Sequence, residues 1–97
     1  MEKLTKEQRN QVYRMALNSL DVYQKKGNNF YMCNAIERAI DENFYENSNA
    51  MDLPEFASKK PEGEGLYVWF DQIEPTLEYD YESRRRVLTQ CIEETNP

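Results

Sequence analysis

A chain of 97 residues with eighteen acidic and twelve basic side chains, a formal charge of -6 and no histidine has room for one domain and not for a second. The acidic balance, with an isoelectric point near 4.7, argues against direct binding to nucleic-acid backbones or anionic membrane, and the longest purely apolar run, Leu66 to Phe70, is far short of the roughly 20 residues that cross a bilayer. The missing histidine removes Ser-His-Asp and Cys-His catalysis and histidine-ligated zinc or haem.

Thr5 and Gln8 have capping-box spacing, which predicts a first helix beginning near residue 5. Tyr13, Ala16, Leu17, Leu20 and Tyr23 recur at spacings of three and four as its core face, and Lys25, Lys26 and Gly27 supply a cationic end and a left-handed stop. Asn28 and Asn29 are the expected caps of a second helix that buries Cys33, Ile36, Ile40 and Phe44, with Met32 and Ala39 in support, and runs to about Tyr45. The short link makes the pair an antiparallel hairpin. From Glu46 to Gly65 the pattern weakens to one helical turn, with Asp52 as its cap, Pro54 in the tolerant first turn, and Leu53 and Phe56 reaching the core.

Pro61, Gly63 and Gly65 mark an exposed loop. Leu66, Trp69, Phe70 and Ile73 fit a helical face, whereas Tyr67, Val68 and Trp69 favour strand geometry; a short helix ended by Pro75 is preferred, since no partner strand is evident. Asp80 or Thr76 opens a last helix with Leu88, Cys91 and Ile92 inward and Tyr81, Arg84 and Val87 flanking them, expected to fray over Glu93 to Pro97 where acids oppose the helix dipole. The fold class is all-α: one domain over residues 1–97, a small irregular helical bundle made of a helical hairpin, a C-terminal helix and one or two short helices. Leu17, Leu20, Ile36, Ile40, Leu88 and Ile92 are its expected core.

Cys33 and Cys91 lie far apart and outside any Cys-x-x-Cys pair, so they read as buried thiols of a reducing compartment rather than a disulfide framework. With a start, Glu2 and Lys3, that has no signal-type apolar region, this predicts a soluble cytoplasmic protein. The charge is polarised: residues 1 to 38 hold seven basic and four acidic side chains, and residues 39 to 97 hold five basic and fourteen acidic. Such polarity, the excess of tyrosine and the small core together predict self-association into a homo-oligomer.

Little in the chain points to catalysis. Asp41 with Glu42, or Glu78 with Asp80, are the available carboxylate pairs, but neighbours on a helix diverge and no phosphate-cradling or nucleophile motif occurs. No enzyme activity, metal or cofactor is expected. Two binding features remain. The consecutive Arg84, Arg85 and Arg86 span about 200° of a helix, so a guanidinium approaches the apolar side; with Lys59 and Lys60 from the loop and the rings of Tyr67, Trp69 and Tyr81, they form the candidate site for a nucleotide-like small anion. The acidic run from Glu62 to Glu82 carries interleaved aromatics, and Glu74, Glu78, Asp80 and Tyr79 are the candidate residues for docking a partner protein.

The stretches Phe30-Tyr31-Met32-Cys33-Asn34-Ala35-Ile36, Leu53-Pro54-Glu55-Phe56, Lys60-Pro61, Trp69-Phe70 and Arg86-Val87-Leu88 with Cys91-Ile92 resemble small uncharacterised acidic accessory proteins of bacteriophages and related mobile elements of gut bacteria, over about residues 30 to 92. No residue role is carried over from them. The resemblance implies a non-catalytic inhibitor that binds a host defence protein stoichiometrically, here through the acidic aromatic surface. The alternative is an oligomeric sponge that sequesters a nucleotide-like anionic signal through Arg84 to Arg86.

Overall fold

The Thr5 hydroxyl accepts the Gln8 amide at 3.1 Å while the Gln8 side chain accepts the Thr5 amide at 2.9 Å, and from this reciprocal cap helix α1 runs over Lys6–Lys26. The computed structural model describes residues 4–44 and 49–96. Gly27 ends α1 at φ 69°, a left-handed backbone conformation that strains most residues carrying a Cβ, and Asn28 returns its amide to the Tyr23 carbonyl. Tyr23 then meets Phe30 edge-on at 5.7 Å, which turns the chain back into α2, Met32–Phe44. The hairpin forms as the spacing predicts. Tyr45, its expected end, lies outside the described residues.

The start of α2 differs from expectation. Asn28 and Asn29 lie too early to cap a helix that begins at Met32; the Cys33 amide is instead capped from a distance by Asp71, at 2.7 Å. A 3-10 turn, Ala50–Asp52, follows, capped by Asn49, with Asp52 reaching back to the Asn49 amide at 3.1 Å instead of acting as the cap itself. Helix α3, Pro54–Ala57, carries Pro54 in its first turn, where the lost N–H is harmless, and buries Phe56. Leu66 to Phe70 is helical, α4, and ends at Phe70 rather than at Pro75, leaving Ile73 half-exposed outside it. Asp80 caps α5, Tyr81–Glu94, through the Ser83 amide at 2.9 Å.

Among the described residues every element is helical, giving a small all-α bundle. Helix α1 is its spine, packed on α2 along one side and α5 along the other, while α3 joins the 3-10 turn to α5. Tyr13, Leu20, Ile36, Ile40, Phe56, Phe70 and Leu88 are fully buried, each side chain contributing about 1.5 to 3 kcal/mol by leaving water. Leu17 and Ile92 are only partly buried, packed against the rim of the core. Cys33 and Cys91 are buried free thiols, and burial pushes Cys91 up to about 12 and Cys33 higher still.

Polar links lock these helices together. Glu55 accepts both Nε and Nη2 of Arg9, at 2.9 and 3.0 Å, and the Tyr13 hydroxyl at 2.9 Å; that hydroxyl in turn accepts the Phe56 amide at 3.2 Å. From the same part of α1, Asn10 donates to the Ile92 carbonyl and to Thr95, which is wholly buried and donates back to the Cys91 carbonyl at 2.7 Å. This pinning carries α5 to Glu94 with an ordered cap at Thr95, despite the unfavourable acids. Pro97, the end of the expected fray, is outside the described residues.

Candidate functional site

Between α4 and α5 the chain forms an acidic loop, Asp71 to Asp80, held from below by buried side chains. The Tyr79 hydroxyl donates to the Phe70 carbonyl. Its ring lies against Phe70 at 5.9 Å and Trp69 at 5.5 Å, and the Arg84 guanidinium sits 4.4 Å from the ring centre. Arg84 Nη2 donates to the Gln72 carbonyl at 2.8 Å, and the Gln72 amide donates to the Trp69 carbonyl at 2.9 Å. Burial raises the Tyr79 hydroxyl well above the ordinary phenol range, against the opposing pull of Arg84. At the tip, Thr76 and Tyr79 exchange backbone hydrogen bonds of 3.1 and 3.3 Å, and the Thr76 hydroxyl also accepts the Tyr79 amide. The two residues inside this turn, Leu77 and Glu78, point into solvent, and Leu77 is 101% exposed.

The expected partner-binding residues therefore separate. Glu74 and Glu78 stay exposed on the loop. Tyr79 is 1% exposed and belongs to the loop's foundation, and Asp80 is committed to the α5 cap, its carboxyl pulled down by the Ser83 amide and hydroxyl.

The residues expected to hold an anion disperse further. Arg84 is 8% exposed and faces inward, stacked on Tyr79, with an Nε that has no hydrogen-bond partner. Arg85 turns toward Asp21 on α1, at 3.7 Å. Tyr81 donates to the same Asp21 at 2.6 Å, and Tyr67 donates to Glu37 on α2 at 2.6 Å, so both hydroxyls serve as links between elements. Lys59 Nζ meets Glu94 at 2.6 Å and the Glu55 carbonyl at 3.3 Å; Lys60 is exposed. Three of the eight nonetheless line one cleft of about 380 Å3: Trp69 from α4, Arg86 from α5 and Lys59 from the loop, with Ser83, Gln90 and Glu78 beside them.

Sequence reasoning missed Ser83 and Gln90, although 83, 86 or 87 and 90 are a plain i, i+3/i+4, i+7 stripe. It also missed a larger groove, about 470 Å3, between α1 and α2, where Ala35 and Ala39 lie among Asn18, Asn34, Tyr31 and Arg38. The readable signal there is two alanines four apart, which leave a shallow channel where larger residues would fill it.

Among the described residues no helix is long and apolar enough to cross a membrane, and no group of three or more Cys, Asp or Glu side chains is placed to share a metal ion. No family model matches the chain, and neither curated proteins nor solved structures give a match.

Proposed function

We propose that this chain is a non-catalytic binding protein that occludes a basic protein partner stoichiometrically, as an inhibitor, through the tip of the acidic loop. The observation that carries the reading is Leu77: a large apolar side chain fully in solvent, between Glu74 and Glu78, on a loop with a fixed base. An apolar knob flanked by carboxylates suits a shallow apolar pocket rimmed by Lys or Arg. Because Tyr79 and Arg84 already hold the loop, little conformational entropy remains to be lost on docking, which is how preorganisation raises affinity. The buried Cys33 and Cys91 thiols and the Tyr13 and Tyr79 hydroxyls, all held protonated by burial, offer no activated nucleophile and fit the same reading. The resemblance to phage accessory proteins makes a host defence protein the expected class of partner.

The test is an affinity pull-down from host lysate followed by sizing of the reconstituted complex. One dominant polypeptide in fixed stoichiometry, lost with Leu77→Asp and with Glu74→Lys plus Glu78→Lys, is the expected result. Retention of that partner by all of these variants would refute the loop as the docking surface. Asp80 is left out of the charge reversals because it caps α5.

A further inference from the structure

The cleft between α4 and α5 has a composition distinct from the acidic loop above it. Ser83, Arg86 and Gln90 stand on successive turns of one face of α5 and line it together with Trp69 and Glu78. Seven residues at the helical rise set Ser83 and Gln90 about 10 Å apart. Arg86 takes part in no ion pair among the described residues, where the pairs are Arg9 with Glu55, Lys59 with Glu94 and Arg85 with Asp21. The Ser83 hydroxyl is turned to the Asp80 carboxyl, but no hydrogen bond among the described residues engages the Gln90 amide, the Trp69 indole N–H or the Glu78 carboxylate, and among those residues the buried side-chain nitrogen or oxygen without a partner is Nε of Arg84. The cleft's free donors and its one free carboxylate are therefore open to a ligand.

We infer that this cleft binds an amino-bearing heteroaromatic ring joined to one anionic group, the chemistry of a purine mononucleotide. Arg86 is the cation that meets the anion. Trp69 is half-buried, backed by Tyr79 at 5.5 Å, and offers a held indole against which a planar ring packs. Glu78 repels a simple anion placed beside it but accepts from an exocyclic amine, and Gln90 can pair with a ring edge through both donor and acceptor. The volume of about 380 Å3 admits one such molecule and not a polymer. Lys59 is not needed as a ligand group, since Glu94 already neutralises it.

Trp69 is the only tryptophan, so its fluorescence reports on this cleft alone. The experiment titrates the full chain with adenosine 5′-monophosphate, with adenosine and with inorganic phosphate, and repeats the first titration on variants. Expected are a saturable change with the monophosphate, affinity at least about tenfold weaker for adenosine, and a similar loss in Arg86→Ala, the scale of one charge-assisted hydrogen bond. Glu78 lines the cleft and also flanks the loop tip, whereas Leu77 is not in the cleft lining, so Leu77→Asp should bind the monophosphate as well as the unaltered chain does, and this tells failure of the cleft from failure of the docking loop. Phosphate alone should not shift the emission. No saturable change up to about 5 mM, the weak end of specific binding, or equal affinity in Arg86→Ala with an unchanged melting temperature, would overturn the assignment. Equal binding of phosphate and the monophosphate would also overturn it, because the ring would then contribute nothing.

Discussion

Asp71 accepts the Cys33 amide at 2.7 Å across 38 residues of sequence, so the first turn of α2 is capped by the residue that ends α4. A carboxylate there suits the helix dipole, but burial raises the Asp71 carboxyl, with Glu37 adding to the effect, while the Cys33 hydrogen bonds and Arg84 pull it back. A carboxyl held above its unfolded value binds its proton more tightly in the folded state. Its cost is absent at low pH and grows as pH rises through the raised value. Asp71→Asn keeps an oxygen for the Cys33 amide and removes the charge. Urea denaturation at about pH 4 and about pH 7 should show the stability of this variant relative to the unaltered chain rising with pH. A flat or falling difference would contradict the linkage. Asp71→Ala, which leaves the amide uncapped, should cost about 1 kcal/mol.

The opposite sign belongs to Glu55. Burial by itself raises this carboxyl, and the hydrogen bonds from Arg9 and Tyr13 outweigh it, leaving it below its ordinary value. Stability from this group is present above the ordinary value of 4.5 and is lost as pH falls through the lowered one. Glu55→Gln should therefore flatten the acid limb of the stability curve and cost about 2 kcal/mol near neutrality, since one forked acceptor for Arg9 is lost. An acid limb identical to that of the unaltered chain would rule Glu55 out as its source.

How legible these features were follows from their range in the sequence. The Thr5–Gln8 cap, the Lys25-Lys26-Gly27 stop and the Asp80 cap lie within one turn of the helices they bound, and each forms as its spacing predicts. The start of α2 was misplaced because its cap comes from Asp71, far along the chain, where no local pattern can signal it. The spacing of α5 puts Arg84 beside the inward face, where it is buried, but a triplet of arginines gives no sign that this one rests on the Tyr79 ring and the Gln72 carbonyl rather than on an anion, because both partners come from the preceding loop. The tyrosines were legible as an excess but not as links, since the acids that anchor Tyr67 and Tyr81 sit 30 and 60 residues away.

Arg84 itself yields a stability prediction. Its guanidinium is buried without a carboxylate in the described ion pairs, resting on the Tyr79 ring and the Gln72 carbonyl. Arg84→Ala removes a charge-assisted hydrogen bond and a cation–π contact and leaves that carbonyl without this donor, so a loss of about 2 kcal/mol is expected. In the titration of the α5 cleft, by contrast, Arg86→Ala should lower affinity and leave the melting temperature nearly unchanged. Chemical denaturation of both variants checks the division: comparable stability losses would mean that both arginines are structural.

The same division applies to the loop, where Leu77 and Tyr79 are two residues apart with opposite environments, one fully in solvent and one 1% exposed. Leu77→Asp removes no packing, so its stability should stay within about 0.5 kcal/mol of the unaltered chain. Tyr79→Phe keeps the ring stack and deletes only the hydrogen bond to the Phe70 carbonyl, at a cost of about 1 to 2 kcal/mol. Hydrogen exchange should then speed up at the Tyr79 amide, which the Thr76 turn protects, while the Ile36 amide of α2 keeps its protection. If the loop docks a partner as a preorganised knob, both variants weaken binding for different reasons. Leu77→Asp does so by removing the contact, chiefly through faster dissociation, and Tyr79→Phe by adding an ordering cost to a loop that still carries Leu77. Full affinity in Tyr79→Phe together with faster exchange in the loop would show that preorganisation is not what the Tyr79–Phe70 bond serves.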